Sequence, residues 1–397
     1  MTIAGGLGAG HRTQFSVDGW NPAYGTSMEA EEQQLQESTA DVTVDIEVPA
    51  PQWRPIDVTP GLAPPAATLF VDGVRRIEAR VWISDEPAPG EQAADATPAL
   101  CASYAAGVVC STGPEAHVIK TDLRRGLFTV ARHADGIMTR SGSYQAEQVK
   151  DGSASVPLML RLSDALQRRL AEVEVQVALE ARSESHKRGL PADDDLLIID
   201  GPLRGRQHLP RAIGYIKSHR TTYLPQDLNA LVGRLEPGQR TPVFLMGTSW
   251  QRHSWYLRLP GDPGAPWAGV VRIECSADLL PAEVVRLANL SQSCLARFAS
   301  DSYKDSRAPQ NLYPIGGLER ELRHRLGDPK LLYRALREAS RAPGGQRRRL
   351  QEHAAGDQCA RASADPDPAV GVHAHVHAAA TAQGGALTGG VGSGCLA

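Results

Sequence analysis

Two apolar runs in this sequence end in the same dipeptide: TLFVDG (68–73) and LLIIDG (196–201) close on Asp72-Gly73 and Asp200-Gly201. A carboxylate at the end of a buried strand is costly unless a cation, a metal ion or a turn backbone compensates it. Asp-Gly is also an ordinary turn dipeptide, so one such run implies no chemistry. Two of them, on strands apolar enough to be buried on both faces, would deliver a pair of carboxylates to one edge of a sheet. Two carboxylates held close cannot both stay ionised without a cation between them, and a hard divalent ion with oxygen ligands is the common solution.

The segment between these strands offers a third acid. Leu162, Leu166, Leu170, Val173 and Val177 recur at three and four residues within 157–185, the period of a helix with one buried stripe. Glu174 borders that stripe. Glu172, two residues and so about 200° away, falls with Arg168 and Arg169 on the polar side, where an ion pair of about 0.3–0.5 kcal/mol is its expected role. Glu180, three residues after Val177, is the next candidate if Glu174 is an ordinary flanking carboxylate.

Charge along the chain matters more than its sum of −3. Residues 1–60 hold nine carboxylates against two arginines, a net −7, which leaves the other 337 residues at +4. Within them RGRQHLPRAIGYIKSHR (204–220) carries five cations and no acid, with His208 and His219 besides. Such a run is either a solvated face or a phosphate-binding surface, with Arg204, Arg206, Lys217, His219 and Arg220 as candidate contacts. Arg75 and Arg76, just past the first Asp-Gly, would hold a backbone in the same way, positioning it without reading sequence.

The elements that must position these groups follow from pattern. TLFVDG, RIEARVWI, LCASYAAGVVC, HVIK and LFTVAR read as strands of an antiparallel meander, followed by the long helix and then the strand LLIIDG. TPVFLMG, SWYLRLP and GVVRIEC extend the sheet, with Trp250, Trp255 and Tyr256 as core aromatics or as base-stacking surfaces. Two helices are expected near 281–299 and 317–340. The organisation predicted is an acidic, largely irregular arm over 1–60, with one helix near 27–38, a single α/β domain over 61–340, and a low-complexity, disordered tail over 341–397. The tail's HAHVH (373–377) has metal-capable spacing in an incidental setting. The six cysteines form no CxxC pair, which argues against a zinc knuckle or a disulfide framework. No signal-like segment and no apolar run of about 18 residues occurs, so a cytoplasmic protein is expected, with no membrane partner.

An Asp ending the first strand of an antiparallel meander, a Glu on the following helix and an Asp ending the next strand is the order of the ribonuclease H-like fold. More specifically, FVDGVRR, LQRRLAEVE, LLIIDGPL, IGYIKSH and NLYPIGGLE resemble the motifs of NurA-domain nucleases over residues 66–335. The resemblance implies an α/β mixed sheet flanked by helices, and a metal-dependent deoxyribonuclease of DNA-end processing. It also implies a homodimer working with a HerA-like hexameric ATPase, and two Mn2+ or Mg2+ ions. Carried over to this chain, the ligands would be Asp72, Glu174 and Asp200, with Lys217 offsetting phosphate charge. The family places a Tyr-Pro and then, about two helical turns on, a histidine near the metals. Here Tyr313-Pro314 is present, but eight residues after Tyr313 stands Glu321, which leaves Glu319, Glu321 and His324 as alternatives. A NurA-like DNA-binding adaptor with weakened chemistry is the second reading.

Overall fold

The computed structural model describes residues 40–83, 96–131, 134–150, 155–187, 189–191, 193–219, 221–261, 267–305 and 307–341. The helix expected near 27–38, Arg220 and the tail with HAHVH lie outside them.

The meander is built from three long strands, β2 (Ala67–Ile83), β3 (Thr97–Thr112) and β4 (Glu115–Thr129), after a short β1 (Asp41–Thr43). The hairpin of β5 (Ile137–Thr139) and β6 (Gly142–Gln148) leads into helix α1 (Leu158–Lys187). Strand β7 (Asp195–Asp200) and strand β8 (Ala212–Ile216) follow, then α2 (Gln226–Gly233), β9 (Phe244–Gly247), β10 (Gln251–Arg258) and β11 (Val270–Ser276). Three helices close the described chain: α3 (Pro281–Leu295), α4 (Tyr313–Arg325) and α5 (Pro329–Arg341). All strands join one sheet in the order β1-β9-β10-β11-β8-β7-β2-β3-β4-β6-β5.

Its centre has the connectivity the resemblance predicts. β2, β3 and β4 pair antiparallel, the chain crosses over through α1, and β7 returns parallel to β2 with β8 parallel to β7. The resulting order β4-β3-β2-β7-β8 is that of a ribonuclease H-like sheet, here extended on one side by antiparallel β11, β10 and β9.

The two faces are read directly from alternation along β2. Leu69 and Val71 pack with Leu166, Leu170 and Val173 of α1, whereas Phe70 and Val74 pack with Leu287 of α3 and Leu318 of α4. The buried stripe of α1 is the one the spacing predicts, continued by Ala181 and by Arg182, which pairs with Asp195 at 2.7 Å.

Three expectations change. Asp72 does not end its strand: β2 runs on through Gly73 to Ile83, and HVIK and LFTVAR likewise form the single β4. Asp-Gly at 72–73 is therefore not a turn, since both residues keep extended pairing with β3, Asp72 opposite Gly107 and Gly73 opposite Ala106. Residues 41–57 are not an arm. β1 pairs with β9, Ile56 bridges to Arg240, and Glu47 takes two 2.8 Å bonds from Arg240, a guanidinium buried at 1% exposure that needs that carboxylate. The helix expected over 317–340 is two helices. Gly327, at φ 84°, takes the left-handed turn after α4, and Asp328 caps α5 by accepting the N–H groups of Lys330 and Leu331 at 2.8 and 2.9 Å.

Candidate active site

Asp72 and Asp200 are neighbours by register. Val71 pairs with Ile199 across parallel strands, so the next residues on each stand side by side, about 4.8 Å apart at the backbone. Both share parity with Phe70 and Ile198 and so face α3 and α4. Asp72 is only 9% exposed, and its Oδ1 accepts the N–H of Gly73 at 2.7 Å. Among the described residues no cation lies within ion-pair distance of it. Burial, and then the charge of Asp200, hold its carboxyl well above the usual range; Lys217 opposes this, and Glu174 and Glu319 add to it.

Asp200 is partnered. Lys217, one residue past β8, donates from Nζ to Asp200 Oδ2 at 2.6 Å and to Asn311 Oδ1 at 3.1 Å. Asn311 is fully buried and donates from Nδ2 to Asp305 at 2.6 Å. Asp305 in turn faces Arg307, which reaches Glu319 on α4 at 2.7 Å. A polar loop thus runs from the aspartate pair through the start of α4 to Glu319. Burial raises the Glu319 carboxyl, but bonds from Arg307 and Arg323 outweigh this and hold it at about 2. Of the three C-terminal alternatives, Glu319 is the one whose charge acts on Asp72. Glu321 pairs with Arg325 at 2.7 Å and His324 is exposed. Tyr313 is likewise turned away from the core, its hydroxyl donating to Asp301 at 2.6 Å.

Glu174 has the phase the stripe predicts: it is buried at 5% exposure, while Glu172 is 59% exposed at its side chain and pairs with Arg169 at 2.7 Å. It approaches β2 from the α1 face. A Cβ on Gly73 would stand 2.5 Å from Glu174 Oε1 and 2.7 Å from Leu170 Cδ1, which is why glycine follows Asp72. The Glu174 Oε2 is held by the Arg206 guanidinium, itself buried and donating to Pro202 O at 2.8 Å. Burial outweighs Arg206 and, helped by Asp200, pushes the Glu174 carboxyl up to about 7. Gly73→Ala is expected to destabilise the fold by about 1–3 kcal/mol through overpacking against α1, measurable as a lowered denaturant midpoint with an unchanged slope.

Two solved structures are similar to this chain. One is the NurA nuclease from Sulfolobus solfataricus, at 11% identity and TM-score 0.39, over 72% of this chain and 88% of that one. The other is human ENDOV, at 17% identity and TM-score 0.30, over 66% and 84%. No protein-family model matches, and no curated protein does. At such scores the likeness carries none of the functional reading, which rests on the chain's own geometry.

Hard divalent-cation chemistry fits the aspartate pair: the donors are carboxylate oxygens, Asp72 has a surplus of negative charge around it, and neither Asp72 Oδ2 nor Asp200 Oδ1 makes a hydrogen bond among the described residues. Among those residues no three His, Cys, Asp or Glu side chains form a ready-made metal cluster, since Glu174 is drawn to Arg206.

The basic run is not the uniform surface its composition implied. Arg204 is exposed, Arg206 is the counterion of Glu174, and Lys217 is the counterion of Asp200. His219 is packed between Tyr256 and Trp267 and bonded to Val270 O at 2.8 Å, and burial lowers its pKa to about 4. A neutral, buried imidazole contacts no phosphate by charge. Its folded pKa lies below the unfolded value, so stability is lost as pH falls from about 6.5 towards 4. The imidazole proton shift should titrate with a midpoint near 4 rather than near 6.5. Arg76 is bound to Glu78 and to Gly327 O at 2.9 Å each, which leaves the exposed Arg75, bonded to Ser163, as the freer of that pair. Trp255 and Tyr256 are core residues; Trp250 lies under Arg252. A cavity of about 730 Å³ beside β4 gathers Arg124, Arg125, Arg140 and Arg169 around Glu147, a concentration that spacing along the chain does not reveal.

Proposed function

We propose that this protein is a metal-dependent deoxyribonuclease whose site is the Asp72–Asp200 pair. The observation that supports it most is the register that sets these two carboxylates side by side, Asp72 buried and Asp200 half-buried, with one cation, Lys217, paired to Asp200. An acid couple with one member buried is costly for a fold unless a bound cation uses it. Asp72 and Asp200 would hold a divalent cation, which when bound supplies charge neutralisation at the scissile phosphate and an activated water. Lys217 orients Asp200 by donating to its Oδ2, and Asn311 holds the ammonium from the other side. Arg75 and Arg204, both exposed, are placed to meet phosphates without reading bases.

The finer parts of this reading come from the motif resemblance: DNA-end processing, a HerA-like hexameric ATPase as partner, a homodimer, two Mn2+ or Mg2+ ions and a cytoplasmic location. No helix among the described residues is long and apolar enough to cross a membrane.

Cleavage of linear and single-stranded DNA with Mn2+, with Mg2+ and with EDTA tests the proposal. Metal-dependent, EDTA-sensitive hydrolysis is expected, and the absence of cleavage under every metal would overturn it. One observation favours the adaptor reading: Arg206 and Lys217 already occupy two of the three acids. An inactive protein that still captures a hexameric ATPase on beads would establish that alternative.

A further inference from the structure

We infer that the site is built for one divalent cation, held by Asp72 and Asp200, with the Arg206 and Lys217 side chains providing the positive charge that a second ion would bring. This rests on the nuclease reading and departs from the two-ion arrangement that the resemblance implies.

Charge is the first ground. Asp72, Glu174 and Asp200 face the buried Arg206 and the half-buried Lys217, while Glu319 is neutralised by its own arginines, Arg307 and Arg323. With all three acids ionised, as cation binding requires, one negative charge is uncompensated. A single divalent ion over-compensates it by one, whereas two would leave three uncompensated positive charges in a buried place, which the interior does not tolerate.

Geometry is the second. Asp72 and Asp200 point to the α4 face, whereas Glu174 approaches β2 from the α1 face, against Gly73. The free oxygens that share one face are Asp72 Oδ2 and Asp200 Oδ1, a set for one ion. The third ground is that the Arg206 pair is built in. The loop after β7 is pinned where Gly201 N–H donates to Tyr215 O at 2.9 Å and Leu203 N–H to the fully buried Glu274 at 2.7 Å. Arg206 is set on that loop by its own bond to Pro202 O, and both ends of its pair with Glu174 are buried.

The test is Mn2+ titration of the full-length protein by calorimetry and by electron paramagnetic resonance, scored as the ions lost on Asp72→Asn so that weak sites elsewhere cancel. One ion per chain with the signal of an isolated Mn2+ is expected. Arg206→Gln should raise the count to two, or increase the Mn2+-induced gain in melting temperature over wild type. Two ions per chain with a spin-coupled signal in the wild type would overturn the inference and leave the nuclease reading standing. No Mn2+ bound at all would overturn both. The wild-type count decides the question even if Arg206→Gln fails to fold.

Discussion

Asp72→Asn is expected to abolish DNA cleavage while raising the melting temperature of the metal-free protein by a few degrees. The carboxyl is buried beside Asp200 and has no ion-pair partner among the described residues, and its folded pKa is raised well above the usual carboxylate value. For such a group the folded state binds the proton more tightly than the unfolded chain, so stability is present at low pH and is lost as pH rises above the unfolded value. Asparagine keeps the shape and the acceptor for the Gly73 N–H but removes the charge, a gain on the order of 1–2 kcal/mol at neutral pH. Metal-free wild type should therefore lose melting temperature between mildly acidic and mildly alkaline buffer more steeply than the variant. Added Mn2+ should narrow the gap by stabilising wild type alone. A variant that stays fully active and melts lower would make Asp72 a structural group and remove the site.

That prediction depends on something only half legible in the sequence. The repetition of Asp-Gly at 72–73 and 200–201 points to paired carboxylates, and the register of β2 with β7 places them together. What the dipeptide does not reveal is that its two glycines do different work. Gly201 takes a positive φ of 101° where β7 ends, a turn in the ordinary sense. Gly73 stays extended within β2 and is there because Glu174 leaves no room for a Cβ. Local pattern cannot separate these, since the crowding atom is more than a hundred residues away in the chain.

The helix phase was legible for the opposite reason. Leu162 to Val177 fix the buried face of α1 by spacing alone, and Glu174 and Glu172 fall on the sides that spacing assigns. The break at Gly327-Asp328-Pro329 was written in capping chemistry, Gly then Asp then Pro, although the apolar period continues across it. The basic run misled because composition reports charge without partners. Arg206 and Lys217 are spent on Glu174 and Asp200, and His219 is uncharged in an aromatic cluster. Asn311 and Glu47 were invisible because their value lies in long-range bonds to Lys217 and Arg240.

Glu174→Gln is expected to be inactive, because it removes the negative charge that a cation at Asp72 and Asp200 would balance, and Glu172→Gln to keep near-normal rates, although the two positions are two residues apart. Glutamine at 174 still accepts from the Arg206 guanidinium but leaves that buried charge without a counterion, so a loss of about 3–5 kcal/mol of stability should accompany the loss of activity. At 172 the side chain is 59% exposed and its pair with Arg169 contributes at most about 0.5 kcal/mol, within the scatter of a melting curve. The informative contrast is Arg206→Gln. It leaves the Glu174 carboxylate buried without a counterion, a cost of about 3–5 kcal/mol while the group is ionised, which shrinks as pH falls and the carboxyl, raised further by the loss of Arg206, takes up a proton. Glu174→Gln combined with Arg206→Gln should recover most of that stability, because neither charge is then stranded. If Arg206→Gln melts like wild type at every pH, the Glu174–Arg206 pair does not carry the charge balance that sets how many cations this site can hold.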